Sequence, residues 1–272
     1  MINEFLKYSR DVRGLAPKTL QEYEKELRIF SRWGASRGLR WSTITKQDVD
    51  AYTAYLNNSK CAVRTIKKRV SVVRCIFRWA VHEGLLSVNP AEWCQTPKIK
   101  EDLPQIADLD HVNLYLTQVP KSYEDRVVHL ITAIIIETGC RIGEVMAIRN
   151  EDIDIDRRCI VIHGKGGSER EVYYSDRTAY ALEHWATWSD GTITDGMPAE
   201  TIRYAMYRTL GRYCPRVHPH QLRHTFATAM INRGMDIKTL GCLLGHKHVE
   251  TTEIYAKVSS QHMAEMYNKY IF

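Results

Sequence analysis

The charge of this chain changes sign along its length, and that division narrows the folds open to it more than any other feature. Residues 1–100 hold 19 Lys and Arg against 9 Asp and Glu, a net of +10, whereas residues 101–272 hold 19 against 23, a net of −4. Such asymmetry between two halves points to two domains, the first facing a polyanion. The join is marked as well: Asn89-Pro90-Ala91 ends a helical region, and residues 94–108, with Pro97, Pro104 and mixed charge, read as an exposed linker. The expected organisation is a helical domain over 1–93, a linker over 94–108 and a second domain over 109–272.

The first domain reads as helices. Thr19-Leu20-Gln21-Glu22 has the form of a capping box, followed at helical spacing by Tyr23, Leu27 and Phe30. Thr45-Lys46-Gln47-Asp48 starts a second helix with Val49, Tyr52 and Leu56 on its inner face. A third spans about 62–82, with an apolar stripe of Val63, Ile66, Val70, Val73, Phe77 and Ala80. On this helix Lys60, Arg64, Lys67, Lys68, Arg74 and Arg78 form a basic face, and the segment from Lys60 to Arg78 holds seven basic residues and no acid. A face of that kind neutralises phosphates, so these residues are candidates for binding the backbone of duplex DNA. A solvated surface is the plainer reading of any one charged helix; the missing acids and the +10 domain favour the polyanion.

The second domain is mixed. A helix follows Asp108, and a buried one spans about 125–137 before Gly139 breaks it. Ile160 and Ile162, then Val172 and Tyr174, flank the glycines of HGKGGSER and predict a β-hairpin with Lys165 near its turn. Helices are expected over 176–188, 199–210, 220–232 and 237–244, with Gly234 and Gly245 ending the last two. The fold class is therefore mainly α, α+β in organisation, with one small antiparallel sheet.

The longest apolar stretch, Leu130 to Ile136, is too short to span a bilayer, and Glu4 and Lys7 interrupt any leader-like core at the N-terminus. Seven cysteines occur singly with no CxxC pair, the usage of a reducing compartment, so a cytoplasmic protein without membrane attachment is expected.

Four polar islands interrupt the apolar second half: TGCRIGE around Arg141 and Glu144, HGKG around Lys165, HQLRHT around His220 and Arg223, and LGH with His246 leading to TTEIY and Tyr255. Guanidinium forks hold phosphate oxygens and stabilise a pentavalent transition state. A phenol is a competent nucleophile for reversible covalent chemistry on a phosphodiester, a lysine can protonate the departing oxygen, and a histidine can take the phenolic proton.

In these boxes the chain resembles the tyrosine recombinases, the family of lambda integrase, Cre and the Xer recombinases. TGCRIGEV is similar to the first arginine box, GKGGSER to the lysine hairpin, HQLRHTFAT to the His-x-x-Arg box, and LGH with TTEIY to the closing histidine and tyrosine. Arg141 precedes Lys165 by 24 residues, His220 precedes Tyr255 by 35, and the ordered set covers 115 residues. FLKYSRDVRGLAPKTLQEYEKELRIFSRW and the later NPA resemble the family's helical core-binding domain. That likeness begins almost at Met1, so the arm-binding domain of lambda-type integrases is not expected. One departure is the 55-residue interval from Lys165 to His220, short for the family.

The resemblance implies that Tyr255 attacks the scissile phosphate to leave a 3′-phosphotyrosine and a free 5′-hydroxyl. Arg141 and Arg223 would hold the phosphate, Lys165 act as general acid, His220 assist proton transfer and His246 hydrogen-bond the phosphate, with Glu144 in support of Arg141. It also implies a homotetramer on two paired DNA sites, an accessory directionality protein in some systems, and no metal, cofactor or ATP. Integration or excision of a mobile element and resolution of chromosome or plasmid dimers are both open. The alternatives are relaxation of DNA in the manner of a type IB topoisomerase, and a catalytically idle DNA-binding module. Cys214-x-x-x-His218 and Cys242-x-x-x-His246 suggest zinc only weakly, because the spacing is loose and the phosphate site claims His246. Met263, Met266, Tyr267 and Tyr270 form a stripe suited either to a neighbouring subunit or to the chain's own domain.

Overall fold

A computed structural model describes residues 1–98, 104–164, 167–186, 191–246 and 252. The chain divides into two compact units, Met1–Glu101 and Asp102–Phe272.

The first unit holds α1 (Ile2–Asp11), α2 (Pro17–Ala35), α3 (Lys46–Asn58) and α4 (Val63–His82). Its core is aromatic: Phe30 meets Tyr52 edge-on at 4.9 Å between ring centroids, with Trp33, Trp41 and Phe77 around it. The capping box of α3 forms as the sequence predicts, Thr45 Oγ1 accepting from the Asp48 amide and the Asp48 carboxylate from the Thr45 amide. The box read at Thr19 does not form. α2 begins instead at Pro17, whose missing N–H costs nothing in a first turn, and Thr19 lies inside that turn. The first helix, which periodicity did not single out, is fixed by Phe5, fully buried between Tyr23 and Trp79.

The basic face of α4 is narrower than expected. Acids that the helix lacks arrive from elsewhere in the chain: Lys68 Nζ lies 2.7 Å from Glu22 and 2.8 Å from Glu26, and Arg69 Nε lies 3.0 Å from Glu26. Arg74 donates to the carbonyls of Ala91 and Cys94, 2.9 Å each, tying the following segment to the helix, and Arg78 faces Glu92. Lys60, Arg64 and Lys67 have no such partner among the described residues.

The second unit is built around α6 (Tyr123–Thr138), buried along nearly its whole length. Ser122 caps its start by accepting from the Asp125 amide. Around it lie α5 (Leu109–Leu116), the single turn α7 (Ile142–Val145), α8 (Asp176–Trp185), α9 (Ala199–Arg208), α10 (Pro219–Asn232) and α11 (Ile237–Leu244). The hairpin expected at HGKGGSER is present: β2 (Cys159–His163) and β3 (Glu169–Tyr173) run antiparallel with Ile160 opposite Val172. A third strand, β1 (Ile153–Asp154), extends the sheet in the order β1-β2-β3. The short interval before His220 is filled by α8, α9 and a 3-10 turn at Leu210–Arg212. Cys94 and Ala107, near the two ends of the expected linker, are buried, and Thr225 Oγ1 accepts from the Ala107 amide at 2.7 Å. Among the described residues no helix is long and apolar enough to cross a membrane.

Candidate active site

Two helices of the second unit end in left-handed glycines, and the site is assembled from those ends. Gly139 closes α6 at φ +68° and Gly245 closes α11 at φ +64°. A side chain at Gly139 would place its Cβ 2.4 Å from the Phe226 ring and 2.7 Å from Leu244, so only glycine fits between α6, α10 and α11.

Arg223, on α10, reaches both ends. Its Nη1 donates to the Gly139 carbonyl at 2.8 Å and its Nη2 to the Leu244 carbonyl at 2.9 Å. The residue is only 3% exposed, and a buried guanidinium is tolerable only when its charge is compensated. Here the helix C-termini supply partial negative charge together with good acceptors.

Nη2 also lies 2.8 Å from His246 Nε2, and His246 Nδ1 lies 2.8 Å from Thr252 Oγ1. An arginine only donates, so Nε2 is the acceptor and the ring proton sits on Nδ1, donated to Thr252. Burial first, then the charges of Arg223, Arg141 and Arg170, push the His246 pKa down to about 4, which keeps the ring neutral. Both ring nitrogens are thus engaged within the protein, and what His246 does in this arrangement is hold Arg223 and the chain at Thr252.

Immediately after Gly139 the chain turns so that Arg141 caps α7. Glu144 Oε2 accepts from the Arg141 amide at 2.9 Å and Oε1 from Arg141 Nη1 at 2.8 Å, while the Arg141 side chain stays 42% exposed. Burial opposes ionisation of Glu144, but hydrogen bonds from Arg170 and Arg141 outweigh it and hold the carboxyl below its usual range.

Arg170 is the residue that sequence reasoning missed. From β3 it donates to Glu144 at 2.7 Å and to the Leu243 carbonyl at 2.7 Å, so one guanidinium ties the hairpin to the Arg141 turn and to the end of α11. A signal was present: between exposed Glu169 and Glu171 on a strand, alternation turns Arg170 inward, and an inward charge needs a partner.

His220 lies one turn before Arg223 on α10. Its pKa is lowered by partial desolvation and then by the positive charges of His218, Arg223, Arg141 and Arg203, which leaves it a free base at neutral pH. His218 caps α10, its Nδ1 accepting from the Gln221 amide at 3.2 Å. Lys165, Tyr255, His248 and the stripe from Met263 to Tyr270 fall outside the described residues. Cys214 is buried whereas Cys242 is exposed.

One consequence concerns acid. His246 and the buried His129 both have pKa values of about 4 against an ordinary 6.5, so in that window the unfolded chain binds more protons than the folded one. Their contribution to stability is complete above 6.5 and is lost as pH falls through 4. The melting temperature should therefore drop over this range, and less steeply in His246→Gln; identical slopes would remove His246 from the account.

Comparison with known proteins places the chain in a family. The phage integrase family matches residues 101–262, and the N-terminal SAM-like domain of phage integrases matches residues 2–84. A tyrosine recombinase XerC of Lactobacillus leichmannii is 27% identical over 290 residues, covering 98% of this chain and 97% of its own, and the XerC of Yersinia pestis is 28% identical over 284, covering 98% and 93%. Among solved structures, XerH recombinase bound to palindromic difH substrate superposes with a TM-score of 0.78 at 16% identity, covering 98% of this chain and 84% of that one. A lambda integrase dimer bound to a core site gives 0.72 at 18% identity, with 93% of each chain covered. With the recombinase fold in both units and the two arginines and two histidines of the motif grouped around the ends of α6 and α11, the chain belongs to the phage integrase family, the tyrosine recombinases.

Proposed function

We propose that Tyr255 is the nucleophile of this recombinase and that the grouped side chains of the second unit serve its attack on one phosphodiester of duplex DNA. The chain is a site-specific tyrosine recombinase, an enzyme that cleaves and rejoins DNA. In the proposed step the Tyr255 phenolic oxygen bonds to phosphorus as the bond to the 5′-oxygen breaks. His220, a free base at neutral pH, takes the phenolic proton, and Lys165 gives one to the departing oxygen. Arg141 and Arg223 carry the charge of the pentavalent transition state, Glu144 aims Arg141, and His246 holds Arg223. The bond energy stays in the 3′-phosphotyrosine, so the reverse step with a new 5′-hydroxyl needs no cofactor.

The observation that carries this reading is that the charges of Arg141 and Arg223 act on both His220 and His246, with Arg223 bonded directly to His246. In the first unit the basic stripe of Lys60, Arg64, Lys67, Lys68, Arg74 and Arg78 meets the DNA backbone; among the described residues the first three have no partner within the chain, whereas Lys68, Arg74 and Arg78 are also engaged by it. We further propose, by likeness to the family, that the protein works as a tetramer on two paired sites, with an accessory protein setting direction in some systems.

The test is to denature the protein during reaction with a genomic duplex library, capture the covalent adducts, map the modified peptide and sequence the attached DNA. DNA joined through its 3′ end to Tyr255, with a free 5′-hydroxyl on the other fragment, is expected. A 5′ linkage, or attachment at another tyrosine, would refute the mechanism.

A further inference from the structure

The facing ends of β2 and β3, which flank Lys165 in the sequence, are joined by a cross-strand pair with unusual chemistry. His163 ends β2 opposite Glu169, the first residue of β3. Its Nδ1 lies 3.1 Å from Glu169 Oε1 and its Nε2 lies 2.9 Å from Asp152 Oδ1. Asp152 belongs to the 3-10 turn Asn150–Asp152, is 8% exposed, and is fixed on its other oxygen by the Arg149 amide at 2.8 Å. One step further round, the Gly164 amide donates to the Ser168 carbonyl at 2.6 Å, and a Cβ at Gly164 would lie 2.6 Å from the Ser168 hydroxyl. The ends of the turn are therefore closed tightly, and the imidazole anchors them to the body of the unit.

Ionised carboxylates only accept hydrogen bonds, and a neutral imidazole has a single N–H. Satisfying Asp152 and Glu169 together takes two N–H donors, which only the imidazolium has. The charged groups that face the ring are these two acids, one from the 3-10 turn and one from β3; Arg170, next along β3, is engaged with Glu144 and Leu243. Hydrogen bonding and charge from Asp152, with a smaller effect of Glu169, raise the His163 pKa above its ordinary value.

We propose that His163 is a positioning residue for cleavage: as an imidazolium bridging Asp152 and Glu169 it holds together the strand ends at Gly164 and Ser168, between which Lys165 lies in the sequence, and losing its proton slackens that closure. The link is complete below the ordinary histidine pKa of 6.5 and is lost as pH rises through the raised value in the folded protein. The catalytic half of this proposal rests on Lys165 as general acid.

That dependence gives a clean test. A substrate whose scissile 5′-oxygen is replaced by sulfur releases a thiolate, which needs no general acid. The full-length protein is assayed in single turnover on nicked duplexes carrying the captured site, with oxygen or sulfur at the bridging position. His163→Asn is expected to slow the oxygen substrate about two- to fivefold below neutral pH, the range of a partly exposed ion pair, with the gap to wild type closing on the sulfur substrate. His163→Arg, a permanent cation, should lose the alkaline fall-off that wild type shows. In parallel, amide exchange at Gly164 and Ser168 should quicken in wild type as His163, followed by NMR, gives up its proton. Equal slowing on both substrates would make the residue merely structural and overturn the proposal, as would a His163 titrating at or below the ordinary value. If Lys165→Ala cleaves the oxygen substrate at the wild-type rate, the general-acid reading fails and takes the catalytic role of His163 with it. If Lys165→Ala is impaired but exchange at the turn is flat with pH, the clamp alone fails.

Discussion

Replacing Arg223 by lysine should lower single-turnover cleavage by about 100- to 1000-fold, the usual cost of removing one preorganised charge from a transition state, while binding to duplex DNA stays within a few-fold. The geometry says why a conserved charge is not enough. The guanidinium meets two backbone carbonyls and a histidine in three directions, Gly139 and Leu244 at 2.8 and 2.9 Å and His246 at 2.8 Å. An ammonium on a flexible stem meets one of them well and leaves the others short of a donor inside the protein. His246 then loses the bond that fixes its tautomer, and the charge no longer sits where the phosphate oxygens develop theirs. An orphaned carbonyl also costs about 1–3 kcal/mol, so the urea midpoint should fall modestly while cleavage falls steeply. Cleavage close to the wild-type rate would show that Arg223 is a structural residue alone.

The second large effect is on the fold. Gly139→Ala combines a left-handed backbone at φ +68° with a Cβ that would stand 2.4 Å from Phe226 and 2.7 Å from Leu244. The conformational strain is about 1–2 kcal/mol and overpacking adds about 1–3, so a loss of roughly 3 kcal/mol is expected, near 10 °C in melting temperature for a unit of this size. Neither neighbour yields cheaply, because Phe226 and Leu244 belong to the small core formed by α10 and α11. Moving them also moves the Gly139 carbonyl away from Arg223, so activity should be lost at temperatures where the variant is still folded. Gly143→Ala is the control: no atom lies within 4 Å of its Cβ and its φ is ordinary, so its melting temperature should hold or rise slightly. Similar melting temperatures for the two variants would mean that the left-handed turn is not required.

Features written locally were legible before the fold was known. The Thr45–Asp48 box, the glycines ending α6 and α11, and the hairpin at HGKGGSER each depend on residues a few positions apart, and each is present. Periodicity likewise located most of the buried faces. What it could not supply were partners distant in sequence. Glu22 and Glu26 reach Lys68 and Arg69 across more than forty residues, so a stripe free of acid in sequence is partly neutralised in space. Arg170 is a further case, its bond to Glu144 spanning 26 residues and that to Leu243 spanning 73. The false cap at Thr19 has a physical reason too: Pro17 is preset for a first turn and begins the helix earlier. The motif boxes pointed to the family, but not to Arg223 being held by backbone carbonyls or to both ring nitrogens of His246 being engaged.

The placement of Arg223 across two helix ends has a bearing on the safety of the cell that makes this protein. A chain able to cleave DNA passes through unfolded and half-folded states at every round of synthesis. In those states the arginine is charged, yet the two carbonyls that hold the guanidinium belong to residues 139 and 244, over a hundred positions apart, and they meet only when α6, α10 and α11 have packed. If Arg223 serves cleavage as proposed, assembly of the core is a precondition of the chemistry, and a nascent or damaged chain would be inert without any inhibitor to restrain it.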